Sequence, residues 1–168
     1  ALAFKMLVWN IGGEGQFIMG AIAAAGAAIW LGPGAPVYIA LPVVVIAGGV
    51  GGAFLASIAA IPRVYLGTNE IITPLMLNFI ALNLMNFLIF GSFSPWRDSE
   101  AASFPQGEKI PDAARLPEFF NRLDVGIFIA VALAIAAWYL VSKTRWGFAV
   151  RVVGDSAETA RYAGIGVS

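Results

Sequence analysis

Four long apolar stretches alternate with short polar segments rich in glycine and proline. Residues 1–9 are apolar apart from Lys5 and are too short to cross a bilayer alone. Asn10-Ile11-Gly12-Gly13-Glu14-Gly15-Gln16 then interrupts the pattern with glycines, two amides and a carboxylate. The apolar runs cover residues 17–31, 37–61, 71–90 and 125–141. Gly32-Pro33-Gly34-Ala35-Pro36 ends the first, Pro62-Arg63 ends the second, and Gly67-Thr68-Asn69-Glu70 precedes the third. Residues 92–124 form one long polar stretch that holds Pro95, Pro105, Pro111, Pro117 and most of the acids. Lys143-Thr144-Arg145-Trp146 closes the fourth run. These runs are too long and uniform for buried strands, and only helices satisfy their own backbone in lipid. A hydrocarbon core needs about 20 helical residues. The pattern therefore predicts an all-α, polytopic transmembrane helix bundle with an outer loop over 92–124.

The tail differs. Residues 151–165 are short, polar and alanine-rich after the basic cluster. Asp155 followed by Glu158 predicts a helix start, with an N-cap oxygen and a carboxylate reaching back to it. Gly164 or Gly166 supplies the stop, because glycine tolerates the left-handed conformation that ends helices. The helix between them is about 12 Å long at 1.5 Å per residue. So short a helix is marginal alone in water and needs a partner surface. Ala157 and Ala160 let a partner backbone come close, while Arg161 and Tyr162 offer a charge and an amphipathic ring. A plain connecting loop fits the same features, so both readings stand at this point.

Composition sharpens the membrane reading. The 168 residues are 60% hydrophobic and 12% charged, and mean hydropathy is +0.82. Soluble domains run nearer about 45–50% apolar and 25% charged. Ten bases balance ten acids, which gives no argument for nucleic-acid binding. The absence of Cys and His excludes disulfides, thiolate or imidazole metal sites and His-based triads. Ala1 opens inside an apolar run and the sequence stops just after a loop, so both ends are expected to be cut. Lys143, Arg145, Arg151 and Arg161 crowd the end of the fourth run, which predicts that this side is cytoplasmic. Alternation then places 92–124 and 32–36 outside and 62–70 inside.

Two further features bear on function. Gly20, Ala24 and Ala28 recur at four-residue spacing, as do Gly48, Gly52 and Ala56. Such small-residue stripes let helices approach closely in lipid, and by themselves they indicate bundle packing. Polar side chains inside the apolar runs say more, because charge at membrane depth is costly unless it faces protein or water. Glu14 and Gln16 lie in the glycine-rich break, and a broken helix is tolerated where it lines a cavity. Asn78, Asn83 and Asn86 lie at about 80°, 220° and 160° around the third helix, counting about 100° per residue from Glu70. They share one broad face, with Pro74 below them to kink the helix. Amides there either line a solute path or hydrogen-bond between helices. Glu70 reads as an interfacial carboxylate or a helix N-terminal one, favoured by the dipole.

Three segments together resemble a known family: Asn10-Ile-Gly-Gly-Glu-Gly-Gln16, Asn69 through Leu82, and Arg151-Val-Val-Gly-Asp155 through Tyr162-Ala-Gly-Ile165. They look like the permease subunits of bacterial ABC importers. The likeness is greatest to the nucleoside and simple-sugar branch of the group that includes ribose and branched-chain amino-acid permeases. It runs in order from about Asn10 to the C-terminus. Gly13, where many relatives carry Ala or Val, and the long acidic outer loop are departures. Full members of the family are longer, so further transmembrane helices are expected beyond this chain.

The resemblance implies a division of labour. Two permease subunits, identical or paralogous, would surround one translocation path in the bacterial cytoplasmic (inner) membrane. An extracytoplasmic binding protein would deliver solute, and two cytoplasmic ATPase subunits would drive the cycle. A short cytoplasmic coupling helix within 143–166, by matching position Asp155 to Ala163, would carry the ATPase contact. Gly154, Asp155, Ser156, Ala157, Glu158, Ala160, Arg161, Tyr162 and Gly164 are the residues concerned. Asn10, Glu14, Gln16, Asn78, Asn83 and Asn86 would line the path, where amides suit a neutral hydroxyl- or nucleobase-bearing solute. No catalytic residue, metal or bound cofactor is implied for this chain. It has no Walker-type loop, so ATP and its magnesium would sit on the partner ATPase. Two other classes are weighed against this one: a secondary transporter with Glu14 or Glu70 as proton carrier, and a non-transporting membrane scaffold.

Overall fold

The computed structural model describes residues 11–91, 94, 96–98, 106–116, 118–120, 123–156, 160, 162 and 164, and for 118–120 and 123–124 it describes the backbone alone. The chain divides into two compact units, Ile11–Arg115 and one built on Leu116–Ser168. Among the described residues, four helices are long and apolar enough to cross a membrane.

The first unit holds three of them: α1 (Gly13–Leu31), α2 (Val37–Leu66) and α3 (Ile72–Phe90). Helix α1 begins earlier than its apolar run, so Glu14 and Gln16 lie in its first turns rather than in a break. The glycines explain the difference. A Cβ on Gly12 would lie 2.9 Å from Pro74 Cβ, and one on Gly15 would lie 2.9 Å from Asn78 Cα. Here glycine serves close contact with α3 instead of interrupting a helix.

Helix α2 also outruns its prediction. It passes Pro62, which leaves that residue's own N–H position empty without ending the helix, and continues to Leu66. The stop comes at Gly67, in the left-handed conformation (φ 62°, ψ 29°), whose N–H bonds the Pro62 carbonyl. At 30 residues the helix is about 45 Å long, more than a hydrocarbon core of about 30 Å requires. Helix α3 is capped by Asn69, whose Oδ1 accepts from the N–H groups of Ile71 (2.8 Å) and Ile72 (3.2 Å). Glu70 instead pairs with Arg63 across the turn at 3.0 Å. Pro74 is the third residue of α3, in the first turn, where a missing N–H costs nothing; it marks the helix start and not a mid-span kink.

Packing in this unit depends on small residues. Ile18, Leu55 and Ala81 form the buried core, bordered by Met19, Ile22, Leu77 and Met85. The two predicted stripes meet each other. A Cβ on Gly20 would lie 2.9 Å from the Gly48 carbonyl oxygen, and one on Gly52 would lie 3.1 Å from that of Gln16. Gly51 is tighter still, since its Cβ would lie 2.5 Å from Ala23 Cβ and 2.9 Å from the Met19 oxygen. Without side chains at these points, α1 and α2 gain dispersion contact along their backbones, a main source of association in lipid.

The second unit contains a small antiparallel hairpin, β1 (Glu118–Phe120) with β2 (Leu123–Asp124), inside the predicted outer loop. Helix α4 (Gly126–Lys143) is the fourth span, and a single residue, Thr144, separates it from α5 (Arg145–Asp155). Thr144 is extended and its Oγ1 accepts from Gly147 N–H at 3.1 Å, so it caps α5. This helix corrects the prediction for Asp155. That residue ends a helix instead of starting one, because α5 already occupies the eleven residues before the break. The break falls at Ser156 (φ −162°, ψ 114°). Ala160 and Tyr162 beyond it are helical, and Ala160 N–H is bonded to the Ser156 carbonyl at 3.0 Å.

Candidate translocation face and coupling segment

The start of α1 is a helix terminus without a cap of its own. Gly12 has no side chain to satisfy the first N–H groups. Asn78 of α3 supplies what is missing: its Oδ1 accepts from Gly15 N–H at 2.9 Å, and its Nδ2 donates to the Ile11 carbonyl at 2.9 Å. One amide therefore caps α1 from a different helix and fixes its register against α3. Inter-helix bonding, one of the two roles that sequence leaves open for Asn78, is thus present.

The remaining polar residues do not converge with it. Glu14 is exposed on the first turn of α1. Gln16 borders a shallow groove between α1 and α2, walled by Phe17, Gly20, Ala24, Val44 and Gly48. Asn83 is exposed and donates to the Phe79 carbonyl of its own helix at 2.8 Å, and Asn86 is exposed one turn further on. Asn10 lies outside the described residues. Gln16 and Asn78 thus face parts of the α1 interface, while Glu14, Asn83 and Asn86 present polar groups to whatever surrounds this unit.

A feature that sequence reasoning passed over lies nearer the other end of α1 and α3. A cavity of about 200 Å³ is lined by Ile22, Ile29, Met85, Ile89, Trp96 and Glu108, among others. Trp96 holds the polar loop down. Its ring occupies the notch left by Gly26, where a Cβ would lie 2.9 Å from the indole, and its carbonyl accepts from Glu108 N–H at 2.8 Å. Arg97 and Gly107 form an isolated bridge beside it. A lone Trp in a proline-rich loop was the available sequence signal.

In the second unit, Gly154 and Asp155 lie in the last turn of α5 and Ser156 at the break. Ala160 is wholly buried, whereas Tyr162, two residues on, is 85% exposed. Gly164 has φ 72°, the left-handed stop that the sequence predicts there. Ala157, Glu158 and Arg161 lie outside the described residues. Among its described residues the segment thus has one residue anchored and one aromatic ring turned outward.

These features define a multi-pass membrane protein. The whole chain, residues 1–168, matches the family described as branched-chain amino acid transport system / permease component, and the chain belongs to that family. It is 36% identical to the glucose ABC transporter permease protein TsgB13 of Haloferax volcanii, over 98% of this chain and 45% of that protein. It is 32% identical to the guanosine ABC transporter permease protein NupP of Bacillus subtilis, over 99% of this chain and 47% of that protein. The nucleoside ABC transporter permease protein NupB of Lactococcus lactis is also 32% identical, over 98% and 47%. The chain spans about half the length of these relatives. No solved structure matches it.

Proposed function

We propose that this chain is part of the membrane-embedded permease subunit of an ATP-driven importer of nucleosides or simple sugars, seated in the cytoplasmic membrane. The observation that carries the proposal is the family match across all 168 residues, with relatives named for guanosine, nucleoside and glucose transport. The chain itself is non-catalytic in this reading and binds no cofactor; nucleotide hydrolysis belongs to an ATPase partner. A second permease subunit would complete the path, and an extracytoplasmic binding protein would load it.

The mechanism follows from the division between the units. Residues near Ser156–Gly164 take up the ATPase, whose nucleotide states contact the two conformations of the permease unequally and so shift their populations. The α1–α3 unit moves as a body, since its helices are in backbone contact and Asn78 ties α1 to α3. Glu14, Gln16, Asn83 and Asn86 are the polar groups offered to a neutral solute. The pairing of Glu70 with Arg63 supports a structural role for that carboxylate over a proton-carrying one.

Uptake into proteoliposomes holding the full-length permease, its ATPase and its binding protein tests this. Transport should continue after ionophores collapse the proton gradient and should cease when ATP is omitted. Uptake driven by a gradient without ATP would overturn the proposal in favour of a secondary transporter, and no uptake under either condition would favour a scaffold.

A further inference from the structure

Helix α5 has no place in the path and gives the coupling segment only its last two residues, Gly154 and Asp155, yet it is the most amphipathic of the helices. We propose that α5 lies in the plane of the membrane surface, its Ala149–Val153–Trp146 edge set into the boundary between headgroups and acyl chains and its basic residues against anionic lipid headgroups. The inference rests on α4 crossing the bilayer and not on the transport reading.

Depth is the first argument. Helix α4 has 18 residues and is about 27 Å long, close to a hydrocarbon core of about 30 Å. One residue later α5 begins, so its first turn starts at the hydrocarbon edge. Direction is the second. Thr144 bonds back to the Leu140 carbonyl and caps α5 through Gly147. Gly147 is seated so closely on the Leu140 and Val141 carbonyls that a Cβ would overlap them, and Val141 and Val150 are both buried. This elbow turns α5 off the α4 axis.

The distribution of side chains is the third. Counting about 100° per residue from Arg145, the buried Gly147 and Val150 lie near ~200° and ~140°. Trp146, Val153 and Ala149 follow at ~100°, ~80° and ~40°, and Trp146 is 57% exposed. Arg151 and Asp155 lie opposite at ~240° and ~280°, with Phe148 beside them at ~300°. An apolar edge flanking the α4 contact, tipped with Trp, is what an interfacial helix presents to lipid. Lys143, Arg145 and Arg151 against Asp155 leave an excess of positive charge at this surface, complementary to anionic headgroups.

The chain contains no cysteine, so single thiols report their own positions within it. In the full permease, freed of any other cysteine and placed in vesicles of phosphatidylethanolamine and phosphatidylglycerol, nitroxides would be attached at Ala149→Cys, Val153→Cys, Arg151→Cys and Asp155→Cys. Labels at 149 and 153 should collide more with oxygen than with a water-soluble nickel chelate, and labels at 151 and 155 should show the reverse. Arg145→Gln with Arg151→Gln should make labels at 149 and 153 shallower, an effect absent in phosphatidylcholine vesicles. Nickel access at all four positions, or shielding of 149 and 153 from both reagents by protein, would overturn the proposal. Two positions on each arc keep the test valid if one variant fails to fold.

Discussion

Asn78 in the first unit and Tyr162 in the second are used in opposite ways. In Ile11–Arg115 the decisive amide is turned inward: Asn78 gives both its donor and its acceptor to the start of α1. In the C-terminal unit two aromatic rings are turned outward, with Tyr162 exposed beside buried Ala160 and Trp146 exposed on α5. The contrast separates rigidity from contact. A bundle in lipid gains little from hydrophobic burial between helices, so it is held by backbone proximity and a few hydrogen bonds. In the proposed coupling role, a segment that meets another surface would keep such rings exposed.

The contrast breaks first at the glycines. Gly51→Leu should cause the largest loss, because the added side chain meets Ala23 and the Met19 carbonyl; overpacking costs about 1–3 kcal/mol or more. Thermal unfolding in detergent should show a clear drop. Gly49→Ala, which meets nothing within 4 Å, should leave the midpoint unchanged or raise it. Next comes Asn78→Leu, which strips the cap from Gly15 N–H and the donor from the Ile11 carbonyl. The cost should be about 1–2 kcal/mol, with hydrogen exchange at the start of α1 rising. Asn78→Asp, keeping the acceptor alone, should fall between.

Tyr162→Ala in the other unit should weaken co-purification of the ATPase while leaving thermal stability of the α1–α3 unit intact. Glu14→Ala should impair uptake without changing ATPase recruitment, and unchanged uptake would remove Glu14 from the path. The smallest effect belongs to Glu70→Gln. A half-exposed ion pair is worth about 0–1 kcal/mol, so stability and uptake should both stay near those of the parent.

The spans were legible because their signal is length and uniformity, which local sequence carries in full. The facing stripes Gly20/Ala24 and Gly48/Gly52 were legible for the same reason: four-residue spacing of small residues already specifies a close helix contact. The ends of helices were less so. Residues 10–16 read as a break because three glycines are poor helix formers, whereas their contact with Pro74 and Asn78 depends on residues some 60 positions away. Pro62 read as a stop although Gly67, with a positive φ, is the residue that ends α2. Helix α5 was missed because its polar and apolar residues alternate over only eleven positions and the basic cluster masked its cap at Thr144. Periodicity could place Asn78, Asn83 and Asn86 on one side of α3 but could not tell that Asn78 hydrogen-bonds to the start of α1.

The accessibility of position 162 tests the central claim most directly. With Tyr162→Cys as the single thiol, a membrane-impermeant reagent should label inside-out vesicles and not intact cells, and a short crosslinker at that thiol should capture the ATPase subunit. Labelling from the outer face of intact cells would contradict the claim that this membrane body is driven from the cytoplasm through its tail.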